Sequence, residues 1–363
     1  MYHTPNLTGL RKKHIPKRIN EGWGLQHMKL YGVDDEIIIS GANLSSDYFT
    51  NRQDRYHVFS SKEITSYFFS IHDTISRLSF LVTPDAQLPA GYTLKWPNSN
   101  VAPSPLDSPS KYITAASSVL NQLIQVPKST VPAAANTNTT VYPLSQLTPL
   151  LQPDTSTELP AITSILKTLS SPAVTSSSWT FTAGYFNPDP SLTSLLLSTP
   201  SKSNVVITAS PQANGFYGSK GVSGLLPAAY TLLARRFLES AAKKNRQEDV
   251  RLKEWRSGTV GEPGGWTYHA KGLWVSVNGD KEPCISIVGS SNYTKRSYSL
   301  DLEVGTAIVT SDSGLKKSLA EERDGLQHHA RQVGMDDFLQ VERRVGIRVR
   351  VAMWIVQLVG GAL

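Results

Sequence analysis

Two segments of this 363-residue chain carry the same four polar residue types in the same order. In each copy a histidine and a lysine two positions apart precede a turn with glycine and asparagine, and a carboxylate follows that asparagine by eleven positions. The first copy consists of His27, Lys29, Asn43 and Asp54. The second consists of His269, Lys271, Asn292 and Glu303. One histidine-x-lysine pair is common by chance, but two matched quartets predict two related units that meet at one site.

The residue types in these quartets suit chemistry at a phosphate. Side chains two apart on a strand share a face, so the histidine and the lysine of each copy point the same way. Lysine and asparagine donate to phosphate oxygens, and a carboxylate on the far nitrogen of a histidine fixes its tautomer. Two facing units would place two histidines on opposite sides of one phosphorus. We therefore predict transfer at a phosphodiester or pyrophosphate that needs no metal ion or cofactor.

Composition narrows the class of protein. Hydrophobic residues make up 39% and charged residues 18%, which is typical of a globular chain. Cys284 is the only cysteine, which excludes a disulfide within the chain and a multi-cysteine zinc site. The net charge of +7 suits an anionic partner such as a phosphorylated substrate, an anionic membrane or a nucleic acid. The apolar segment 351–363 follows four arginines, so it is predicted either to lie on a membrane surface or to pack as a final helix.

Hydrophobic patterns divide the chain into four parts and indicate an α/β layered fold. We predict a first half over 1–82, a Pro/Ser/Thr-rich insertion or linker with short helices over 83–178, a second half over 179–320, and a basic and apolar helical tail over 321–363. Strands are expected on both sides of a turn at 33–35 and at 179–185, 204–209, 272–277 and 285–288. Helices are expected at 61–80, with Ser61 as a candidate N-cap, and at 112–124, 161–169 and 225–242.

The first quartet resembles a known motif. His27-x-Lys29-x4-Asp34, followed by Gly41-Ala42-Asn43, is similar to the HKD motif of the phospholipase D superfamily. This resemblance implies two pseudo-symmetric halves with mixed sheets flanked by helices, and it places Asp34 with the catalytic histidines and lysines. The second copy departs from the motif, because Ser276 stands where the family usually has an aspartate. That aspartate is regarded as structural in the family, so the predicted catalytic pair is unaffected.

Flanking segments are similar to one branch of the superfamily, the eukaryotic mitochondrial phosphatidylglycerophosphate synthases. The similarity covers residues 3–80 and 179–305 and is carried by 26–29, 38–44, 48–56, 184–187, 208–220 and 268–272. It implies transfer of the phosphatidyl group of CDP-diacylglycerol to sn-glycerol 3-phosphate, with release of CMP, through a phosphohistidine. It also implies peripheral association with an anionic membrane, on the matrix side of the mitochondrial inner membrane. No motif of interleaved aromatic and basic residues favours nucleic acid as a partner.

The resemblance and the residue chemistry together suggest roles. His27 is expected to be the nucleophile and His269 the general acid and base, although the reverse order is equally compatible with the sequence. Lysines and asparagines of both quartets are expected to hold the phosphoryl oxygens, and Asp54 and Glu303 to orient the histidines. The glycine-containing loop 214–220 is predicted either to bind phosphate or to be a plain connection. Its Ser219 and Lys220 are candidate substrate contacts. Asn51, Arg52 and Arg55 are weaker candidates, and an arginine there is alternatively expected to pair with Asp54.

The two predicted halves differ in how many residues precede their histidine. Predicted strands and a helix fill 179–268 before His269, whereas only 26 residues precede His27. Pseudo-symmetry would make the first half incomplete at its start, and no presequence or secretory signal is recognisable there.

Three alternative activities stay open on the residues alone. They are a phosphodiesterase acting on nucleic acid, a phosphatidyltransferase with another acceptor alcohol, and an inactive homologue.

Overall fold

A computed structural model describes residues 1–14, 22–124, 137–174 and 176–358. Most of its strands belong to two sheets. In chain order the strands are β1 (Leu30–Val33), β2 (Glu36–Ser40), β3 (Arg52–Gln53), β4 (Tyr56–Ser60), β5 (Leu81–Pro84), β6 (Tyr92–Lys95), β7 (Thr139–Gln146), β8 (Ser178–Ala183), β9 (Asn204–Ala209), β10 (Val250–Trp255), β11 (Thr267–Tyr268), β12 (Lys271–Ser276), β13 (Ile285–Gly289), β14 (Glu303–Thr310) and β15 (Ala330–Val333).

Helices cover the sheets and connect the strands. They are α1 (Gly9–His14), α2 (Ser46–Thr50), α3 (Lys62–Ser76), α4 (Pro109–Ile124), α5 (Glu158–Thr168), α6 (Pro190–Ser198), α7 (Leu226–Lys243), α8 (Lys295–Ser299), α9 (Ser313–Gln327) and α10 (Ile347–Leu358). Short 3-10 helices cover Thr148–Leu150, Pro211–Ala213, Gly221–Leu225, Asp336–Leu339 and Val341–Arg343. Within the described residues, no helix is both long enough and apolar enough to cross a bilayer.

The larger sheet has eight strands in the order β15-β10-β9-β8-β12-β13-β14-β7. Strand β9 runs parallel to β8 and β10, and the other neighbours are antiparallel. This mixed sheet flanked by helices confirms the predicted α/β fold. Strands β9 and β13 lie within a residue of their predicted bounds, because strands buried on both faces form nearly continuous apolar runs.

The smaller sheet repeats part of the larger one. Its strands β1, β2 and β4 pair antiparallel in that order, as do β12, β13 and β14. In both triplets the histidine lies just before the first strand and the asparagine just after the second. The third strand of each triplet begins at or just after the carboxylate. The sequence repeat is thus a repeat of three antiparallel strands.

Apolar side chains join the two sheets. Ile37 and Ile39 of β2 lie in the same buried cluster as Val288 and Val304 of the larger sheet. Helix α3 covers this cluster with an apolar stripe, and the hydroxyl of Ser61 accepts a hydrogen bond from its first turn, as predicted from the sequence. Both quartets are therefore anchored on one packed core.

The segment 83–178 is not a linker, which corrects that part of the expected organisation. Strand β7 forms the edge of the large sheet beside β14, and α4 and α5 bury apolar faces. Residues 125–136 of this segment lie outside the described residues. The expected boundary at 320 is also wrong, because α9 crosses it and β15 pairs with β10. Composition concealed these elements, since their apolar positions are spaced among serine, threonine and proline.

Candidate active site

Each histidine is bound to the carboxylate of the other half. Nδ1 of His27 lies 2.9 Å from Oε2 of Glu303, and Nδ1 of His269 lies 2.7 Å from Oδ2 of Asp54. Both carboxylates are fully buried. The two quartets therefore exchange their acidic residues, and neither half carries a complete histidine–carboxylate pair of its own.

Short parallel pairings bring about this exchange. Tyr268 of β11 pairs with Gln53 of β3, so the next residue on each strand is His269 and Asp54. The other histidine has the same arrangement, because an isolated parallel bridge joins Gln26 to Leu302, immediately before His27 and Glu303. The backbone nitrogen of His269 donates to the Gln53 carbonyl at 2.8 Å, and that of His27 donates to the Leu302 carbonyl at 2.9 Å. Backbone pairing thus sets the distance between each histidine and its carboxylate.

The two lysines are buried next to the histidines. Nζ of Lys29 donates to the carbonyl of His27 at 2.6 Å, and Nζ of Lys271 donates to that of His269 at 2.9 Å. A Cβ added to Gly41 would lie 2.9 Å from Nζ of Lys271 and 3.2 Å from Oδ1 of Asp54. The glycine after β2 therefore leaves room for the lysine of the other half to reach the site.

Burial shapes the acidity of these lysines. It lowers the pKa of Lys29 to about 7, even though Glu303 opposes the shift. Burial likewise lowers the pKa of Lys271 to about 8 against the attraction of Asp54 and Glu303. Both ammonium groups are thus poorly solvated and close to losing a proton, a state that an anionic ligand would reverse.

The histidines are held neutral. Burial lowers the pKa of His269 to about 3, with help from the positive charge of Lys271. Burial also lowers the pKa of His27, and this outweighs the opposite influence of Glu303. For the carboxyls, burial alone would raise the pKa of Asp54 and of Glu303, but the neighbouring cations and hydrogen bonds hold both below their usual values. The carboxylates are therefore charged at neutral pH.

Two tyrosines surround His269, and sequence reasoning did not identify them. The hydroxyl of Tyr48 lies 3.3 and 3.4 Å from the two ring nitrogens, and the ring of Tyr185 stands edge-on to the imidazole at 5.5 Å between centroids. Both tyrosines occur in the segments 48–56 and 184–187 that carry the family resemblance, and this resemblance is the sequence signal that could have identified them. His27 differs, because no side chain of the described residues is recorded in a hydrogen bond with its Nε2.

The asparagines differ in exposure. Asn292 is buried, and its Oδ1 has no hydrogen-bond partner within the described parts of the chain. Asn43 is exposed and lines a cleft of about 650 Å³ together with Lys29 and Gln26. The unpartnered Oδ1 of Asn292 is an acceptor, so it suits a ligand hydroxyl or amino group that donates a hydrogen bond.

Arg55, a weak candidate from the sequence for a substrate contact, is buried and instead binds residues of the second half. Its Nε and Nη2 each lie 2.9 Å from a Glu322 oxygen, and its Nη1 donates to the carbonyls of Lys271 at 3.1 Å and Ile287 at 2.7 Å. Gly272 makes this possible, because a Cβ there would lie 1.7 Å from Nη1. These hydrogen bonds of Arg55 fix the backbone at Lys271.

The weaker candidates are placed differently. Nε of Arg52 donates to Thr267 at 2.8 Å, and its guanidinium lies 4.6 Å from the centre of the Tyr48 ring. Loop 214–220 reaches the same region, since a Cβ on Gly215 would lie 2.8 Å from the Tyr185 hydroxyl. Within this loop Ser219 is partly buried and Lys220 exposed, and neither side chain is recorded in contact with a quartet residue.

Asp34 does not belong to the site, which corrects its inclusion with the catalytic residues. It lies exposed in the tight turn between β1 and β2, with φ of 52°. His27 precedes the same hairpin, and seven extended residues span roughly 20 Å. A short aspartate side chain cannot bridge that distance, so its place in the turn accounts for the residue type.

Comparison with known proteins decides between the families that this geometry allows. No protein-family model matches the chain. It is 45% identical over 362 residues to the CDP-diacylglycerol–glycerol-3-phosphate 3-phosphatidyltransferase of Saccharomyces pastorianus, an alignment that covers 97% of this chain and 69% of that protein. The chain belongs to this phosphatidyltransferase family. The resemblance to phosphatidylglycerophosphate synthases is thereby confirmed.

A human member of the phosphatidyltransferase family and one solved structure are also similar to this chain. The human family member, whose name includes the word mitochondrial, is 34% identical over 97% of this chain and 64% of its own length. The crystal structure of phosphatidylserine synthase from Haemophilus influenzae matches with a TM-score of 0.66 over 94% of this chain and 70% of that one. At 21% identity this second likeness shows the fold alone.

Proposed function

We propose that the chain transfers the phosphatidyl group from CDP-diacylglycerol to sn-glycerol 3-phosphate, giving phosphatidylglycerophosphate and CMP. Family membership supports the substrates, and the crossed histidine–carboxylate pairs support the reaction type. Two carboxylate-bound imidazoles beside two buried ammonium groups suit a two-step displacement at phosphorus. Anionic substrates would also stabilise the charged forms of Lys29 and Lys271, whose pKa values burial has lowered.

In the first step of this proposal, Nε2 of His27 attacks the phosphatidyl phosphorus. A P–N bond forms and the P–O bond to CMP breaks. His269, which the anionic substrate holds protonated in the complex, gives its Nε2 proton to the leaving oxygen. Glu303 on Nδ1 of His27 stabilises the positive charge that develops on the imidazole. The ammonium groups of Lys29 and Lys271 and the amides of Asn43 and Asn292 stabilise the phosphoryl oxygens.

In the second step His269 takes a proton from a glycerol 3-phosphate hydroxyl. The hydroxyl oxygen bonds to phosphorus as the P–N bond breaks, and His27 returns to its starting state. The surroundings of His269 favour this acid–base role, because Lys271 Nζ lies 3.1 Å from its Nε2 and the Tyr48 hydroxyl lies 3.4 Å from it. Both neighbours are able to exchange protons. His27 has the freer Nε2, which suits a nucleophile.

Arg52 is a candidate contact for the acceptor or the nucleotide, since it lies on the Tyr48 and Tyr185 side of His269. Lys220 and Ser219 are weaker candidates in the neighbouring loop.

We also propose that the protein works in mitochondria, on the matrix face of the inner membrane, where it associates peripherally with anionic lipid. The name of the human relative supports the organelle, and a diacyl substrate requires access to a membrane.

A transfer assay tests the activity. CDP-diacylglycerol and labelled glycerol 3-phosphate should yield lipid-soluble label and one CMP per labelled lipid. His27→Ala and His269→Ala should each reduce transfer to background, whereas His14→Ala, at the end of α1, should not. Label that stays in the aqueous phase with a folded wild-type protein would overturn the proposed substrates.

A trapping experiment tests the roles of the two histidines. With CDP-diacylglycerol labelled in the phosphatidyl phosphate and no acceptor, His269→Ala should still accumulate acid-labile, protein-bound label, while His27→Ala should accumulate none. The opposite result, label on the His27→Ala protein alone, would reverse the assignment. Absence of label on every variant would remove the covalent intermediate.

A further inference from the structure

Helix α10 carries two apolar faces. Val349 and Met353 are buried against Ala229 and Leu232 of α7. On the opposite side Ile347, Val351 and Trp354 are spaced by four and three residues and so share one face. These three side chains are 77%, 49% and 61% exposed. The helix therefore presents a second apolar stripe that nothing within the described residues covers.

Arginines flank the exposed stripe. At 100° per residue, Arg348 and Arg350 lie on either side of Ile347, Val351 and Trp354. Both arginines are exposed. An apolar stripe bordered by arginines is the pattern of a helix that lies in the plane of a membrane surface, with its apolar side chains among the acyl chains and its cations at the headgroups.

A basic cavity adjoins this helix. It has a volume of about 310 Å³ and is lined by four arginines together with Thr231, Leu232, Phe338 and Val345. The four arginines are Arg235, Arg343, Arg344 and Arg350. This concentration of guanidinium groups suits a phosphate, which arginine binds in a bidentate manner.

The positive charge of this cavity is only partly compensated. Arg235 pairs with Glu239 at 2.9 Å, and Arg343 pairs with Glu254 at 2.8 Å. Arg344 and Arg350 make no ion pair with a described residue. The side chain of Arg343 is 10% exposed, and its buried Nε has no partner in the described parts of the chain. The cavity thus has a surplus of two positive charges and an unused donor.

Helix α7 connects this surface to the active site. Its Tyr230 ring lies 5.6 Å from that of Tyr185, which in turn contacts His269. Its Ala229 and Leu232 support α10. One helix therefore touches both the aromatic wall around the general acid–base histidine and the exposed amphipathic helix.

We propose that α10 and the adjoining arginine cavity form a membrane-docking surface for anionic phospholipid. Ile347, Val351 and Trp354 enter the acyl region, and the cavity holds the phosphate of one anionic lipid headgroup. Charge complementarity selects this occupant, because an uncharged apolar partner would leave Arg344, Arg348 and Arg350 unpaired. This inference rests on the proposal that the enzyme works at a membrane. Vesicle binding is measured without substrate, so its result is independent of whether the protein has transfer activity.

Vesicle sedimentation tests the charge. The full chain should bind vesicles of phosphatidylcholine mixed with phosphatidylglycerol and should bind those of phosphatidylcholine alone much less. Arg344→Gln/Arg350→Gln should weaken binding to the anionic vesicles roughly 30-fold, since each cation near the surface contributes about 1 kcal/mol. The matched control is Arg251→Gln/Lys281→Gln, which removes two exposed cations elsewhere and should change binding less than about twofold.

Fluorescence quenching tests the apolar stripe. Brominated acyl chains should quench part of the tryptophan emission of the wild-type protein, and Trp354→Phe, which keeps the apolar surface, should lose that quenched component. Equal quenching in both proteins would overturn the insertion of this helix. Equal vesicle binding by the arginine variant and its control would overturn the cavity as a headgroup site. Saturable binding of inorganic phosphate to the cavity without vesicle binding would make it a site for a free anion and also overturn the proposal.

Discussion

Nδ1 of His27 lies 2.9 Å from Oε2 of Glu303, although 276 positions separate the two residues. The second pair, His269 with Asp54, spans 215 positions in the opposite sense. Each half therefore supplies the imidazole of one pair and the carboxylate of the other. Folding of both halves is required before either imidazole has its partner.

We expect Glu303→Gln and Asp54→Asn each to lower the transfer rate constant by about 10²-fold or more, because a neutral amide neither stabilises an imidazolium nor holds the required tautomer. Steady-state transfer assays measure the effect. Glu321→Gln and Asp73→Asn are matched controls on exposed sites with long, weak ion pairs, and should retain nearly full activity. Wild-type rates in either site variant would remove the carboxylates from the mechanism.

The pH dependence of transfer should reflect the buried lysines. Burial lowers the pKa of Lys29 to about 7 and that of Lys271 to about 8, and only the protonated forms stabilise phosphoryl oxygens. Since kcat/KM reports the free enzyme, it should decline as pH rises through about 7 to 8. Lys29→Arg keeps its charge at every accessible pH and should move this decline upwards, whatever its effect on the maximum. An unchanged alkaline limb would assign the decline to another group.

Gly272→Ala should destabilise the fold by about 2–5 kcal/mol, because the new Cβ meets Nη1 of Arg55 and the backbone φ of 153° disfavours a side chain. Urea unfolding followed by circular dichroism measures the free energy of unfolding. Gly334→Ala is the control, since nothing lies within 4 Å of its added Cβ, and it should change stability by no more than about 1 kcal/mol. Similar urea midpoints of unfolding for the two variants would show that the structure around Arg55 accommodates the new Cβ without loss of stability.

Glu322 should contribute to acid sensitivity. Burial would raise the pKa of this carboxyl, but the charge of Arg55 and the hydrogen bonds from His57 and Arg55 hold the pKa well below its ordinary value of 4.5. A carboxyl with a depressed folded-state pKa stabilises the fold above its unfolded value, and that stability is lost as pH falls below about 4.5. Glu322→Gln should therefore flatten the decline of unfolding free energy below that pH, while Glu321→Gln on the same helix should not.

The sequence predicted the elements that have a local signal. The hairpin before Asn43, the helix capped by Ser61 and strand β9 all match, because alternation, capping and apolar runs depend on neighbours in the chain. The two quartets were found from repetition alone. The sequence predicted that Asp54 and Glu303 orient the histidines, but not which histidine each carboxylate contacts, because their exchange is a property of how two sheets meet.

The errors have equally specific causes. Asp34 matched a motif position, yet motif matching says nothing about distance, and the residue lies in a turn. Strand β7 was concealed by the polar composition of its surroundings, and only pairing with β14 makes it a strand. Arg55 was predicted only as a weak candidate for a substrate contact. It is buried instead, because a carboxylate, three carbonyl or hydroxyl oxygens and the absence of a Cβ at Gly272 accommodate it.

The close contact between Arg55 and Gly272 also constrains which substitutions can occur at these two positions during evolution. The guanidinium occupies the volume in which any other residue at position 272 would place its first carbon atom. Loss of the arginine would open a void and leave the Lys271 and Ile287 carbonyls without this donor, and a side chain at 272 would expel the arginine. Neither position can drift while the other stays fixed, so the pair should be inherited as a single unit in any lineage that retains activity.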